Sequence, residues 1–187
     1  MNKTEWRQHA LSERRDWTAN EYQRRCALVT GHLSAFLDFS RIRVLHTFLP
    51  IPGKQEADTW PIIRLIREKN PHVRIAVPRV RGDQLEHVML EESTLETGAF
   101  GIPEPTDGQR IDSEVPDAVL VPVLIGDRSG NRIGYGKGFY DRFLVTCRPD
   151  CIKIGLSTSS PAEQLPTEPH DVTLNALVTP EGVLTFR

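Results

Sequence analysis

Residues 118–125, AVLVPVLI, are the longest apolar run in the chain, and a glycine-rich stretch, RIGYGKGFYDRF, follows at 132–143. Eight apolar residues are too few to cross a bilayer but suit a strand buried on both faces. Such a strand needs cover above and below, which a parallel sheet between helices provides. Pro122 has no amide hydrogen, so the strand is expected to stop or bulge there.

The rest of the chain fits that frame. Residues 43–49, 73–77, 152–156, 174–178 and 183–186 read as strands, the last two around the turn Pro180-Glu-Gly. Residues 85–90 read as a strand in a hairpin-like excursion. Helices are expected at 3–16, 19–37, 58–69 and 137–147. Thr18 and Glu21 have capping-box spacing before the second helix. Ile62, Leu65 and Ile66 share one face of the third, with Pro61 in its first turn. FGIPEP, residues 100–105, must be extended or turning because two prolines forbid helix. Short apolar strands interleaved with helices predict an α/β fold in three layers, a central mostly parallel sheet flanked by helices. The length of 187 residues suits one domain, 1–187, with residues 1–37 forming a helical pair packed on the core.

The net charge of −2 provides no broad field for nucleic acid or an anionic membrane, so neither is expected as a partner. The polar opening MNKTEWRQHALSERRDW lacks a secretory apolar core, and three cysteines make an odd count. Both suit a reducing cytoplasm. Cys147 and Cys151 have no third ligand in sequence and read as free thiols.

A strand, a glycine loop and a helix in succession place backbone N–H groups where an anion can meet them. Glycine permits positive φ and close approach. Arg132 and Lys137 add cations, and a phosphate cradle results. The P-loop pattern fails because Asn131 and Gly138 stand where glycine and Ser/Thr are required. The dinucleotide pattern fails at Phe139. A tight turn with solvated cations stays open on spacing alone. Asp141 reads as a partner of the helix dipole or, beside phosphates, as a ligand of Mg²⁺, with Asp171 as a second carboxylate. Lys3, Arg7 and Arg14 fall within about 40° on the first helix. The stripe is either solvated or, flanked by Trp6 and Trp17, held against the domain.

These residues resemble the 5-formyltetrahydrofolate cyclo-ligase family, also called 5,10-methenyltetrahydrofolate synthetase, in five blocks along nearly the whole chain. The blocks are Lys3 to Arg7, PGKQEADTWPII with IAVPRV, FGIPEP, NRIGYGKGFYDRFL, and LPTEPHDVTLNALVTPEGV. The resemblance implies a fold of the ribose-phosphate isomerase and CoA-transferase class. It also implies ATP- and Mg²⁺-dependent closure of 5-formyltetrahydrofolate, polyglutamylated forms included, to 5,10-methenyltetrahydrofolate with release of ADP and phosphate. By the same resemblance Lys3, Arg7, Arg132, Gly134, Tyr135, Gly136, Lys137, Gly138 and Asp141 belong to ATP. Lys137 and Arg132 act in catalysis, and Asp141 and Asp171 hold the metal. Glu56 belongs to the folate, at the pterin N–H donors or near the formyl group and N10. Ile51, Phe100, Phe139 and Tyr140 line the substrate.

Besides Trp6, which stands where the opening block has leucine, the chain departs from the family pattern at three positions. Phe139 replaces a frequent tyrosine, Tyr135 fills a variable slot, and Asn175 stands where an aspartate is expected and could weaken the metal site. The last and first of these leave open a binding protein without turnover.

Overall fold

The run at 118–125 supplies the spine of the molecule. In the computed structural model, which describes residues 1–90, 95–98 and 101–186, the chain runs α1 (Lys3–Arg15), α2 (Ala19–Phe36), β1 (Val44–His46), α3 (Trp60–Lys69), β2 (Arg74–Arg81) and β3 (Gln84–Met89). It continues through β4 (Leu95–Thr97), β5 (Pro103–Pro105), β6 (Arg110–Ile111), β7 (Ala118–Pro122), β8 (Ile125–Gly126) and β9 (Arg132–Ile133). It closes with α4 (Phe139–Leu144), β10 (Ile152–Leu156), β11 (Ala176–Thr179) and β12 (Gly182–Thr185). Eight strands form one sheet in the order β12-β11-β10-β7-β1-β2-β3-β6. The inner five are parallel, and β12, β3 and β6 add antiparallel edges.

Alternation along β7 divides the core. Leu120 faces Val29 and Leu33 of α2 and Ile62, Ile63 and Ile66 of α3. Val119 and Val121 face Phe143 and Leu144 of α4. Pro122 ends the strand as expected. Its last partner is Leu156 on β10, whereas β1 pairs only as far as Val119. No ladder on the β1 side therefore calls for the missing N–H.

Next to Phe143 lies a buried histidine pair. His87 Nδ1 is 3.0 Å from His46 Nε2, and the His87 ring stacks on Phe143 with centroids 3.9 Å apart. Burial lowers both imidazoles, His46 well below its usual value and His87 to about 4.

Several local expectations are corrected. The regular part of β1 is three residues, although Thr47 N–H still donates to Ala76 O at 2.8 Å beyond it. The last helix is shorter than 137–147, because Gly138 takes a left-handed φ of 68° at its start. At α2 only half a capping box forms: Thr18 Oγ1 accepts the Glu21 N–H, but the Glu21 carboxylate turns to Arg24 and Arg25. The full box is at α1, where Asn2 and Glu5 satisfy each other's backbone donors. The glycine loop does not leave β7 directly, because the β8–β9 hairpin intervenes. Its turn is built on fully buried Asp127, which accepts the N–H groups of Ser129, Asn131 and Leu165.

Helix α1 packs on this hairpin through Trp6, Ala10 and Leu11, which meet Leu124, Ile125 and Ile133. Cys26, Cys147 and Cys151 are free thiols. Among the described residues no helix is long and apolar enough to cross a membrane.

Candidate active site

Parallel strands leave a crevice at their carboxyl ends, and loops from several strands converge there. In this chain the crevice is a cavity of about 530 Å³, within the usual size for a small-molecule site. Phe48, Leu49 and Ile51 after β1 contribute one wall, Pro78 and Val80 of β2 another, and Pro122 marks the end of β7. The whole glycine loop, from Gly134 to Gly138, forms the rim with Phe139, Tyr140 and Asp141.

The cations gather on that rim. Arg7 Nε donates to Gly134 O at 2.8 Å, so α1 clasps the loop. Gly136 has a φ of +86°, and a Cβ there would come within 3.0 Å of the Arg7 guanidinium carbon. The backbone therefore favours glycine, and any side chain would have to displace the Arg7 guanidinium by a few tenths of an ångström. Lys3, Arg132 and Lys137 also line the cavity. The Arg132 side chain is only 6% exposed. Its fork donates to Asp141 Oδ1 at 2.5 Å and to the Val172 carbonyl, tying the start of α4 to the segment before β11.

Carboxylates face the cations. Lys3 Nζ donates to Asp171 at 2.6 Å and to Glu168 at 2.7 Å. Burial alone would raise the Asp171 carboxyl, but Lys3 and the Glu168 N–H hold it below the usual range. The ligating atoms of Glu168, His170 and Asp171 lie within 4.8 Å of one another. The two carboxylates are hard oxygen donors that suit Mg²⁺. Asp141, the other expected metal ligand, is not in that cluster and is engaged by Arg132.

The floor is apolar with a few buried polar groups. Glu56 is 4% exposed, and its Oε2 accepts the Ile51 N–H at 2.6 Å. Burial pushes this carboxyl up, against the opposing pull of the Ile51 N–H and of Arg14. Among the described residues the hydroxyls of Tyr135 and Tyr140 are buried without a hydrogen-bond partner. An unpaired buried hydroxyl is costly unless a ligand completes it. Tyr140 is thus both core, packed on Phe143, and cavity wall.

A model of the 5-formyltetrahydrofolate cyclo-ligase family matches residues 1–180. The chain belongs to this family. The cyclo-ligase of Mycolicibacterium smegmatis is 32% identical over 61% of this chain and 64% of its own length. That of Arabidopsis thaliana is 29% identical over 78% and 62%. The chain therefore spans a little under two thirds of these two relatives. An NMR structure of 5,10-methenyltetrahydrofolate synthetase from Aquifex aeolicus, 30% identical, aligns over 100% of this chain and 94% of that one, with a TM-score of 0.86.

Against the site expected of a cyclo-ligase family member, the structure gathers Lys3, Arg7, Ile51, Glu56, Arg132, Gly134, Tyr135, Gly136, Lys137, Gly138, Phe139, Tyr140, Asp141 and Asp171 around one cavity. Phe100 lies outside the described residues. Asn175 is not among the lining residues. Its side-chain oxygen accepts the Lys153 N–H at 2.8 Å and its own N–H donates to the Lys153 carbonyl, so it joins β10 to β11. The side chain thus has a role in the sheet. Glu104, Lys54, Glu168 and His170 line the cavity but were not singled out in sequence. Glu168 and His170 were within reach, three and one residues before Asp171 in the same block. Glu104 was not, since only folding brings its carboxylate to the Val80 N–H at 2.9 Å.

Proposed function

We propose that the protein is an ATP-dependent 5-formyltetrahydrofolate cyclo-ligase. The observation that carries this reading is the division of one cavity into a cationic glycine-loop rim and an apolar floor with a buried carboxylate. The rim suits a triphosphate and the floor a flat ring system with N–H donors.

An N-formyl group is an amide and a poor electrophile, and its oxygen leaves badly. Transfer of the γ-phosphoryl group to that oxygen breaks the bond to ADP and makes a carbon with phosphate as leaving group. N10 of the same folate then attacks, the new C–N bond forms, the N10 proton is lost to solvent, and phosphate departs. The attack is intramolecular, which removes most of the encounter entropy. The chain's task is to align the phosphoryl group with the formyl oxygen and to offset growing negative charge. Lys137 and the Gly134–Gly138 amides meet the phosphates, with Lys3 and Arg7 along the chain of oxygens. Arg132, shared with Asp141, sets the loop and faces the transferred group. Asp171 with Glu168 would hold Mg²⁺, with Asp141 as the further carboxylate. Bound there, the ion would neutralise polyphosphate charge. Glu56 accepts N–H donors of the pterin, and Phe139 and Tyr140 flank its rings.

The test is direct. Purified protein with Mg-ATP and 5-formyltetrahydrofolate should develop the near-ultraviolet absorbance of the methenyl product, with one ADP per product. Tight folate binding with no absorbance change and no ADP would replace the enzyme with a binding protein.

A further inference from the structure

Among the described residues, Gln55 is the single non-glycine residue with a positive φ, at +50°. A side chain in that region is strained, and the strain persists only where the surroundings over-determine the backbone. Here they do. The Gln55 carbonyl accepts the Thr158 hydroxyl at 3.0 Å. The next carbonyl, that of Glu56, accepts the Tyr22 hydroxyl at 2.9 Å. Two residues on, the Asp58 N–H donates to Cys26 Sγ at 3.4 Å. Neighbouring peptide groups are thus held by two separate elements, α2 and the loop after β10.

Thr158 belongs to a polar run, Ser157-Thr158-Ser159, that follows β10 directly and is almost completely buried. Buried hydroxyls cost free energy unless they are hydrogen-bonded, so the run calls for a reason beyond packing. The Thr158 carbonyl accepts Arg25 Nη1 at 2.9 Å. Tyr22, Arg25 and Cys26 are three and four residues apart, on one face of α2. That face and the 157–159 loop therefore brace residues 55–58 together.

Tyr22, Gln55 and Thr158 are not among the cavity-lining residues, whereas Glu56 is. The Glu56 side chain turns back on its own loop, where Oε2 accepts the Ile51 N–H at 2.6 Å and the Lys54 N–H donates to Ile51 O at 3.1 Å. The segment from Ile51 to Glu56 is closed on itself, and its backbone is pinned from behind at the residue that carries the carboxylate.

We propose that Thr158 and Tyr22 are positioning residues for Glu56: by holding the left-handed turn at Gln55 they preset the carboxylate for the N–H donors of a ligand. The identity of that ligand as a folate rests on the reading given above. N–H donors are met well only within a narrow range of carboxylate orientations. A loop fixed beforehand spares the ligand the cost of ordering it.

The first measurement needs no ligand. Amide hydrogen exchange followed by ¹⁵N NMR reports the Ile51 N–H, whose acceptor is the Glu56 carboxylate. Glu56→Ala sets the rate without that acceptor. Thr158→Val and Tyr22→Phe each remove one hydroxyl with little change of shape. Each should speed Ile51 exchange about tenfold relative to the amide of Leu120 on β7. Thr158→Ser should restore the slow rate. Gln55→Gly accepts the positive φ and should keep Ile51 protected, whereas β-branched Gln55→Val should not. An Ile51 rate unmoved in either hydroxyl variant, or moved only in step with Leu120, would overturn the proposal. So would equal loss of protection in Q55G and Q55V, a comparison that decides alone if the hydroxyl variants fail to fold. Calorimetry with 5-formyltetrahydrofolate follows, and its Kd should rise in the variants with fast Ile51 exchange while the KM for ATP stays. Unchanged folate affinity in those variants would also overturn the clamp. A wild-type protein that bound no 5-formyltetrahydrofolate would remove the folate reading, while Ile51 exchange still judges Thr158 and Tyr22.

Discussion

Replacing His87 by glutamine should flatten the acid side of the stability curve. Its imidazole titrates at about 4 when folded, against 6.5 for the free side chain. Burial is the main cause, with Glu86 pulling weakly the other way. A histidine held neutral by folding gives stability that is full above the unfolded value and lost as pH falls toward the folded one. Between pH 7.5 and 5.0 the unfolded side chain gains nearly a full proton and the folded one about a tenth. The difference is about 2 kcal/mol of folding free energy from this residue. His46 acts in the same direction. Urea unfolding of the wild type and of H87Q at pH 7.5, 6.5, 5.5 and 5.0 separates the His87 share. H87Q should lose about 2 kcal/mol less than wild type over that range. Equal losses in the two proteins would refute the idea that the pair at 3.0 Å is neutral and buried.

Other outcomes follow from the cavity and the core. Gly136→Ala meets both a φ of +86° and the Arg7 guanidinium, so the apparent KM for ATP should rise about tenfold or more while the folate KM changes little. Lys137→Ala should likewise raise the ATP requirement more than the folate one in steady-state assays. Glu56→Gln should weaken folate binding measured by calorimetry yet raise the thermal midpoint at neutral pH. The sign follows from its raised carboxyl: the folded state binds the extra proton, so stability from this group falls as pH climbs above the unfolded value. Leu120→Ala, fully buried between β7 and the α2–α3 layer, should cost about 2–5 kcal/mol in urea unfolding.

The sheet was legible because its strands announce themselves. Residues 118–122 are apolar and 152–156 alternate Ile and Leu with Lys153 and Gly155; both are short and bounded by turn residues, and β10 matches its expected bounds. The β8–β9 hairpin was not legible. It has two residues a side, and its organiser, Asp127, is an acid in a loop whose four acceptor contacts include Leu165, far along the chain. Capping was misplaced for a similar reason: Asn2 works as well as Ser or Thr at a helix start, and Glu21 had two arginines within reach. In the site, Gly134–Asp141 could be read because its residues are contiguous. Glu104 and the buried end of the Lys3–Arg7–Arg14 stripe could not, because their surroundings come from segments more than twenty residues away.

Arg7 grips the Gly134 carbonyl and Lys3 grips Asp171, so α1 meets these partners only once residues 127 and 168 positions further along have been made. At the usual pace of synthesis roughly 10–30 seconds separate Lys3 from Asp171. Until residues 124–133 emerge, the apolar side of α1, with Trp6 and Leu11, lacks the cover it has in the folded protein. A nascent polypeptide stalled before residue 134 is therefore expected to be a good client for a chaperone that holds amphipathic helices, and one released after residue 171 a poor client.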